Sequence, residues 1–300
     1  MQKNKVILMV LDGWGIKKPG PGNYISLSKT SNFDRYIKNY PNSINKASGN
    51  AVGLPSGVQG NSEVGHLHMG AGRIVWQPFE KINQEIKSGA FEKNKNLRKA
   101  ILNGNKNGAT LHLMGLCSDE GVHSHINHLF EILKIAKKNN IRNILIHFFA
   151  DGRDVPEKSA KKYINAIKKQ NLGKIASVCG RFYSMDRDHN YERTKEAYDM
   201  LTEGHGFKAK SAEKAIEDAY KRGDQTDYYI RPTIIESDYS PIKSNDTVIF
   251  FNFRTDRPRQ LVECFCNKAF KGFKRNKFPR VKFFTMTDIG QNMKSKYFYK

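Results

Sequence analysis

The sequence has few cysteines, no long apolar run and a shortage of acids, and each deficit removes a class of answers. Its four cysteines suit a reducing compartment. Cys117 and Cys179 lie in apolar, strand-like runs, while Cys264 and Cys266 stand too close together for a zinc knuckle and lack partner ligands, so all four read as structural thiols. The N-terminal apolar run, Val6 to Leu11, is shorter than a signal-peptide core and ends at Asp12, and nothing later approaches a membrane-spanning length. The expectation is a soluble, cytoplasmic protein without a membrane partner. Acids are scarce beside bases, 29 against 51, for a formal charge of +22. Such an excess resembles a nucleic-acid signal, but its distribution argues otherwise. Lys93, Lys95, Lys99 and Lys106, like Lys161, Lys162, Lys168 and Lys169, sit among Asn and Glu on helix-like stretches and read as solvated faces. No nucleic-acid partner is expected.

What is present is enough to fold. A 38% hydrophobic and 11% aromatic content over 300 residues buries a substantial core, in one large domain or two modest ones. The first region opens with an apolar strand, Val6 to Val10, and passes through the Gly- and Pro-rich stretch Gly13 to Gly22 to a helix near Ser31–Asn39. A short strand near Ile44–Ala47 and a Gly-rich turn from Gly49 to Gly60 follow. A further helix starts at Asn61 or Ser62. After two helical stretches from about Pro78, strands are expected at Thr110–Leu116, Asn143–Phe149, Lys174–Cys179, Thr247–Phe251 and Val281–Thr285. Helices are expected near Ile126–Lys138, Ser159–Lys169, Tyr191–Leu201, Ala212–Lys221 and Asp256–Cys266. That alternation predicts an α/β fold, a mostly parallel sheet flanked by helices on both faces.

Ligands of open α/β sheets bind beyond the carboxyl ends of the strands. There the sequence places Ser118 to His125, then Asp151-Gly152-Arg153-Asp154, then Gly180-Arg181 leading to Met185-Asp186-Arg187-Asp188, then Asn252 to Arg257. The loops therefore carry Arg153, Arg187, Arg193, Arg254 and Arg257 toward one rim with His123 and Asp154. Guanidinium groups facing one pocket repel unless an anion lies between them, and their planar forks suit phosphate and carboxylate oxygens. A small, doubly anionic substrate is the inference. The alternative is that each arginine pairs locally, Arg153 with Asp154 and Arg187 with Asp186 or Asp188. A metal site at His123, His125 and His128, or at His66 and His68, is disfavoured because no carboxylate completes a triad. His123 is better placed to touch a phosphate or move a proton. In the first region Asp12 follows an apolar strand, where a metal carboxylate is often found, although Asp-Gly is also a turn. Ser62 stands at a helix N-terminus, suited to an anion or a metal-activated nucleophile, although taken alone it reads first as an ordinary N-cap.

Taken together, Val10-Leu11-Asp12-Gly13-Trp14-Gly15, Gly60-Asn61-Ser62-Glu63-Val64-Gly65-His66, Gly121-Val122-His123-Ser124-His125, Asp151-Gly152-Arg153-Asp154, Met185-Asp186-Arg187-Asp188 and Phe251 to Arg257 resemble, in order, the motifs of the cofactor-independent phosphoglycerate mutases of the alkaline-phosphatase superfamily. The resemblance implies interconversion of 3-phosphoglycerate and 2-phosphoglycerate without bisphosphoglycerate. Ser62 would take the phosphoryl group, Asp154 would carry the hydroxyl proton, and His123, Arg153, Asp154, Arg187, Arg193, Arg254 and Arg257 would bind substrate. Two manganese ions are implied, with Asp12 and Ser62 among their ligands, in an enzyme that works as a monomer. It also implies a phosphatase-like segment at 1–76, incomplete here, an inserted transferase domain at 77–288 and a divergent basic tail at 289–300.

Two departures stand out. Tyr191 occupies a position where the family usually has Trp. The family also continues beyond Thr285-Met286-Thr287-Asp288 with further metal-binding aspartates and histidines and a substrate-site lysine, for which this sequence has no counterpart. Two oxygen ligands cannot fill the shells of two divalent ions, so manganese binding is expected to be impaired and activity of the lone chain does not follow. A companion C-terminal fragment, a gene truncation or a partial gene model would each account for this. The competing readings are a non-catalytic phosphoglycerate-binding remnant and another metal-dependent phosphomutase or phosphatase of the superfamily.

Overall fold

The computed structural model describes residues 5–106, 108–290, 293 and 295–300. The chain divides into two compact units, Met1–Glu80 and Lys81–Lys300. The first contains the helices α1 (Tyr24–Leu27), α2 (Ser31–Asn39) and α3 (Ser62–Ala71), with a 3-10 turn at Gly49–Val52. The boundary falls within α4 (Pro78–Ser88), after which come α5 (Ala90–Lys93) and α6 (Lys95–Gly104). The second unit then alternates β1 (Leu111–Leu116), α7 (Ile126–Lys138), β2 (Ile144–Ala150), α8 (Ala160–Gln170), β3 (Lys174–Gly180), α9 (Arg181–Ser184) and α10 (Tyr191–Glu203). It continues through β4 (Phe207–Ala209), α11 (Ala212–Lys221), a 3-10 turn at Asp227–Tyr229, β5 (Thr233–Ile235), β6 (Thr247–Phe250), α12 (Arg259–Cys266), β7 (Lys282–Thr287) and β8 (Lys296–Tyr299).

The eight strands form one sheet in the order β4-β5-β3-β2-β1-β6-β7-β8, parallel throughout except where β5 runs antiparallel to β3. Every residue of β1, β2 and β6 is buried, as expected where helices cover both faces. Met114, Leu116, Phe149, Val248 and Phe250 point to one face and pack with Tyr198, Leu201, Leu261 and Phe265 of α10 and α12. On the other side α6 approaches so closely that a Cβ on Gly104 would meet Leu111 at 3.1 Å. The β8 edge is not left open. Asn94 and Asn96 donate to the carbonyls of Phe298 and Tyr297 at 2.9 and 2.6 Å, and the Tyr299 hydroxyl donates to Glu85 at 2.6 Å.

A polar chain crosses the buried sheet. Asp246 contacts His112 at 3.2 Å, His112 contacts His147 at 2.9 Å, and His147 contacts the Ser177 hydroxyl at 2.8 Å, linking β6, β1, β2 and β3. Burial holds both imidazoles in the neutral form, lowering the pKa of His112 against the opposing pull of Asp246 and that of His147 well below the usual value. His128 of α7, buried against Asn83 and Phe253, is pushed down to about 3 by the same desolvation. All four cysteines are free and buried, and burial raises their pKa, that of Cys266 to about 12.

The strands expected at Val6–Val10 and Ile44–Ala47 do not form: neither segment is strand. Val6 is 89% exposed and Val10 42%. Apolar periodicity creates a tendency, but a strand exists only where a neighbour accepts its ladder. The amides of residues 6–11 are therefore expected to exchange with solvent within seconds by hydrogen-exchange mass spectrometry, while those of β1, β2 and β6 stay protected. The buried histidines give a second expectation. Their folded pKa values lie below the unfolded value of about 6.5, so their contribution to stability is complete above that pH and is lost as pH falls toward their folded values. Denaturant titrations should show unfolding free energy falling below pH 6.5 by up to about 1.4 kcal/mol per pH unit for each histidine.

Candidate active site

The carboxyl ends of β1, β2, β3 and β6 are tied together by side chains. Asp151, the residue after β2, accepts through Oδ1 from the Arg181 guanidinium at 2.6 Å and from the amides of Arg153 and Asp154 at 3.2 and 3.0 Å. Its Oδ2 accepts from the Ser118 hydroxyl at 2.7 Å, beyond the end of β1. Gly152 makes the turn at φ +61°, where a Cβ would meet the Tyr228 nitrogen at 2.7 Å. Asn252, after β6, reaches back to accept from the Leu116 amide at 2.9 Å, and the amides of Phe253 and Arg254 donate to the His123 carbonyl at 2.9 and 3.2 Å. One loop thereby holds the next.

On this frame most of the sequence-derived site residues meet. His123, 4% exposed, places Nε2 3.8 Å from Asp154 Oδ2 and Nδ1 3.8 Å from Asp256 Oδ1. Asp256 also accepts from Arg187 at 2.6 Å and lies 3.1 Å from Arg254 Nε. Arg193 sits 3.3 Å from Asp186 and 4.0 Å above the Phe182 ring, and exposed Arg153 lies 5.8 Å from the Tyr228 ring centroid. The local pairs considered from sequence are not the ones formed, since Arg187 pairs with Asp256, and Asp154 pairs with Arg181. Burial is the largest influence on His123, the Arg181 charge adds to it, and together they lower its pKa to about 4. The ring is neutral near pH 7. The Tyr191 ring packs edge-on to Phe270 at 5.5 Å.

Arg257 is different. It is only 9% exposed, donates one hydrogen bond to the Met185 carbonyl at 3.2 Å, and forms no ion pair among the described residues. Its buried Nε has no partner. Desolvation, then the neighbouring Arg181 and Arg187 charges, lower its pKa. The Asp256 carboxylate opposes this only from beyond ion-pair distance. A buried cation without an ion-paired carboxylate is costly, and a bound anion would offset that cost.

Arg181 is the residue missing from the sequence-derived set. It is 1% exposed and bridges Asp151 and Asp154, at 2.6 and 2.7 Å, from the first position after β3. Its signal in the sequence is the same as that of the other arginines, a position at a strand's carboxyl end.

Asp12 and Ser62 belong to the first unit, where both line a cavity of about 510 Å³ with Gly13, Asn61 and His66. Asn61, rather than Ser62, caps α3 by accepting from the Val64 amide at 3.0 Å. The Ser62 hydroxyl is thus free of the capping role and makes no hydrogen bond among the described residues. As metal donors the two side chains do not suffice. Both are exposed, and the His66 ring beside them contacts the Ser62 carbonyl through Nδ1 at 2.8 Å. One group of three does gather its donor atoms within 4.8 Å, Asp199, Glu203 and His205 about the end of α10, and it shares no residue with Asp12 and Ser62.

The model of a sequence family described as BPG-independent PGAM N-terminus (iPGM_N) matches residues 82–290. The chain belongs to that family. It is 49% identical over 99% of its length to the 2,3-bisphosphoglycerate-independent phosphoglycerate mutase of Clostridium kluyveri, and 46% identical over 97% to phosphoglycerate mutase 1 of the same description from Methanosarcina barkeri. It spans 59% and 58% of those relatives. A crystal structure of Leishmania mexicana phosphoglycerate mutase, obtained at low cobalt concentration, matches with a TM-score of 0.71 at 32% identity, covering 92% of this chain and 54% of that one. Among the described residues no helix is long and apolar enough to cross a membrane.

Because Asp151 uses both carboxylate oxygens to join three strand ends, Asp151→Asn is expected to destabilise the second unit by about 3–5 kcal/mol, the typical cost of breaking a buried pair. Thermal and denaturant unfolding measure this. Asp188→Asn, at an exposed position, is expected to change stability by less than about 0.5 kcal/mol.

Proposed function

We propose that this chain carries the substrate-binding apparatus for interconverting 3-phosphoglycerate and 2-phosphoglycerate. The observation that carries the reading is Arg257, a buried guanidinium with no acid partner, set among Arg187, Arg254, Arg193 and Arg153. A phosphate or carboxylate group supplies the charge this rim lacks, and the substrate offers both. The neutral His123 ring donates or accepts a hydrogen bond without adding charge. Asp154 Oδ1 makes no hydrogen bond among the described residues, leaving it free to take a proton from a glycerate hydroxyl. In that step the hydroxyl O–H bond breaks, the carboxyl O–H bond forms, and the electron pair stays on the glycerate oxygen for bonding to phosphorus. Ser62 is the reading's phosphoryl acceptor: its Oγ–P bond forms as the first glycerate O–P bond breaks, the Oγ–H proton ending on the departing glycerate oxygen. On return the Oγ–P bond breaks as the second glycerate oxygen bonds to phosphorus, and the proton that Asp154 took from that hydroxyl ends on Oγ.

Manganese is the metal the reading assigns to the reaction, and the fit here is poor, since Asp12 and Ser62 supply two exposed oxygens. No step above is routed through it. The proposal is therefore a chain that binds phosphoglycerate through its second unit and turns it over feebly by itself. That work belongs in the cytoplasm, on a free metabolite, with a monomeric chain, no bisphosphoglycerate, and neither nucleic acid nor membrane as partner.

Titration calorimetry with 3-phosphoglycerate is expected to show binding that Arg257→Ala weakens by at least about tenfold, on the scale of a charge-assisted contact, while Ser62→Ala leaves it unchanged. A coupled assay for 2-phosphoglycerate, with manganese and no bisphosphoglycerate, is expected to show turnover near background. Absence of binding would remove the substrate assignment. Robust turnover abolished by Ser62→Ala would overturn the metal shortfall.

A further inference from the structure

Among the charged groups of the rim, Arg181 is the most buried, and its surroundings are unlike those of the other arginines. It faces inward, with one nitrogen shared between Asp151 and Asp154 at 2.6 and 2.7 Å. Asp151 is fully occupied by this contact, the Ser118 hydroxyl and two amides. Asp154 is not, because Arg181 touches only Oδ2, the oxygen that also faces His123 at 3.8 Å. We infer that Arg181 is a positioning residue for the proposed proton transfer, its guanidinium fixing the Asp154 carboxylate in place and keeping it available to a substrate hydroxyl rather than to His123.

Two groups here compete for one proton. A carboxylate 3.8 Å from a buried imidazole ordinarily favours the imidazolium, and the pair then settles as an internal ion pair. An Asp154 so engaged is a poor acceptor for anything else. The groups facing His123 are Asp154 from the β2 loop, Asp256 and Arg254 from the β6 loop, and Arg181 from the end of β3. Without Arg181 the two aspartates outweigh the single arginine, and the ring's affinity for a proton rises against the desolvation that opposes it. With Arg181 the charges balance, and burial decides for the neutral imidazole. The cation also holds Oδ2, which leaves Oδ1 as the oxygen open to a ligand. This role deepens the substrate reading given above and rests on it for the identity of the proton donor.

The test follows the His123 ring by NMR in the full chain without ligand, so its outcome does not depend on whether 3-phosphoglycerate binds. The wild-type ring is expected to titrate at about 4. In Arg181→Gln the titration is expected to move up by about one pH unit or more, the scale of a removed neighbouring charge. Arg181→Lys, which restores a cation, is expected to bring it most of the way back. Because Arg181→Gln leaves Asp151 with a buried unpaired charge, the double variant Asp151→Asn/Arg181→Gln removes the whole pair, and the same upward shift is expected there. A folded variant lacking Arg181 whose His123 still titrates at about 4 overturns the inference. So does an Arg181→Lys ring that behaves like the Gln variant, since the effect would then come from packing rather than charge.

Discussion

The site depends on one buried ion pair, Arg181 with Asp151. A parallel sheet ends in separate loops, each free to drift, and an anion site needs its donors fixed to within a few tenths of an ångström. Here the loops after β1, β2 and β3 converge on a single carboxylate, through Ser118, two backbone amides and the guanidinium. The loop after β6 is fixed separately, by Asn252 on β1 and by two amides on the His123 carbonyl. Replacing the pair by apolar groups would serve stability as well or better. What apolar groups cannot do is hold Asp154 by one oxygen while presenting the other.

The remaining charges then fall into two kinds. Arg187, Arg193 and Arg254 each have a carboxylate within 4.0 Å, so their attraction for a ligand is already partly spent. Arg257 has none. An anion entering the rim gains most at Arg257, whose charge is already desolvated, and less at the exposed arginines, whose interactions water screens. That ordering makes the buried guanidinium the anchor and the outer arginines adjustable. In the proposed reading it also explains why a net charge of +22 tells so little, because the anchoring cation is one of the least visible to solvent.

Much of this is legible in the sequence because it obeys a single rule. The strands β1, β2, β3, β6 and β7 fall within two residues of their expected bounds at every end, since buried parallel strands are near-continuous apolar runs. His123, Asp154, Arg187, Arg254 and Arg257 can be grouped because all follow such strands. Short pieces escape. Phe207–Ala209 and Thr233–Ile235 are three-residue strands too brief to show a period, and β8 hides its aromatic residues within a basic stretch. Arg181 escapes for a different reason: its role is defined by partners at positions 151 and 154, a pairing that exists only once β2 and β3 lie side by side. Val6–Val10 fails in the opposite sense, with every local mark of a strand and no neighbouring strand to pair with.

The contrast between the two units bears on how the chemistry is divided. Binding of an anion demands an organised rim of donors, and in the proposed reading the second unit provides it, with His123 neutral and its loops tied. Phosphoryl transfer demands an activated nucleophile. Ser62 has the right freedom, since Asn61 has taken over the cap, and the start of α3 offers amide dipoles to an incoming phosphate. Yet a serine hydroxyl is a weak nucleophile at its ordinary pKa, and the exposed oxygens of Asp12 and Ser62 cannot by themselves hold the cations that would change this. In the proposed reading recognition and catalysis therefore fall to different units: the arginines that would select a phosphorylated acid belong to the second, and Ser62, which would accept its phosphoryl group, belongs to the first.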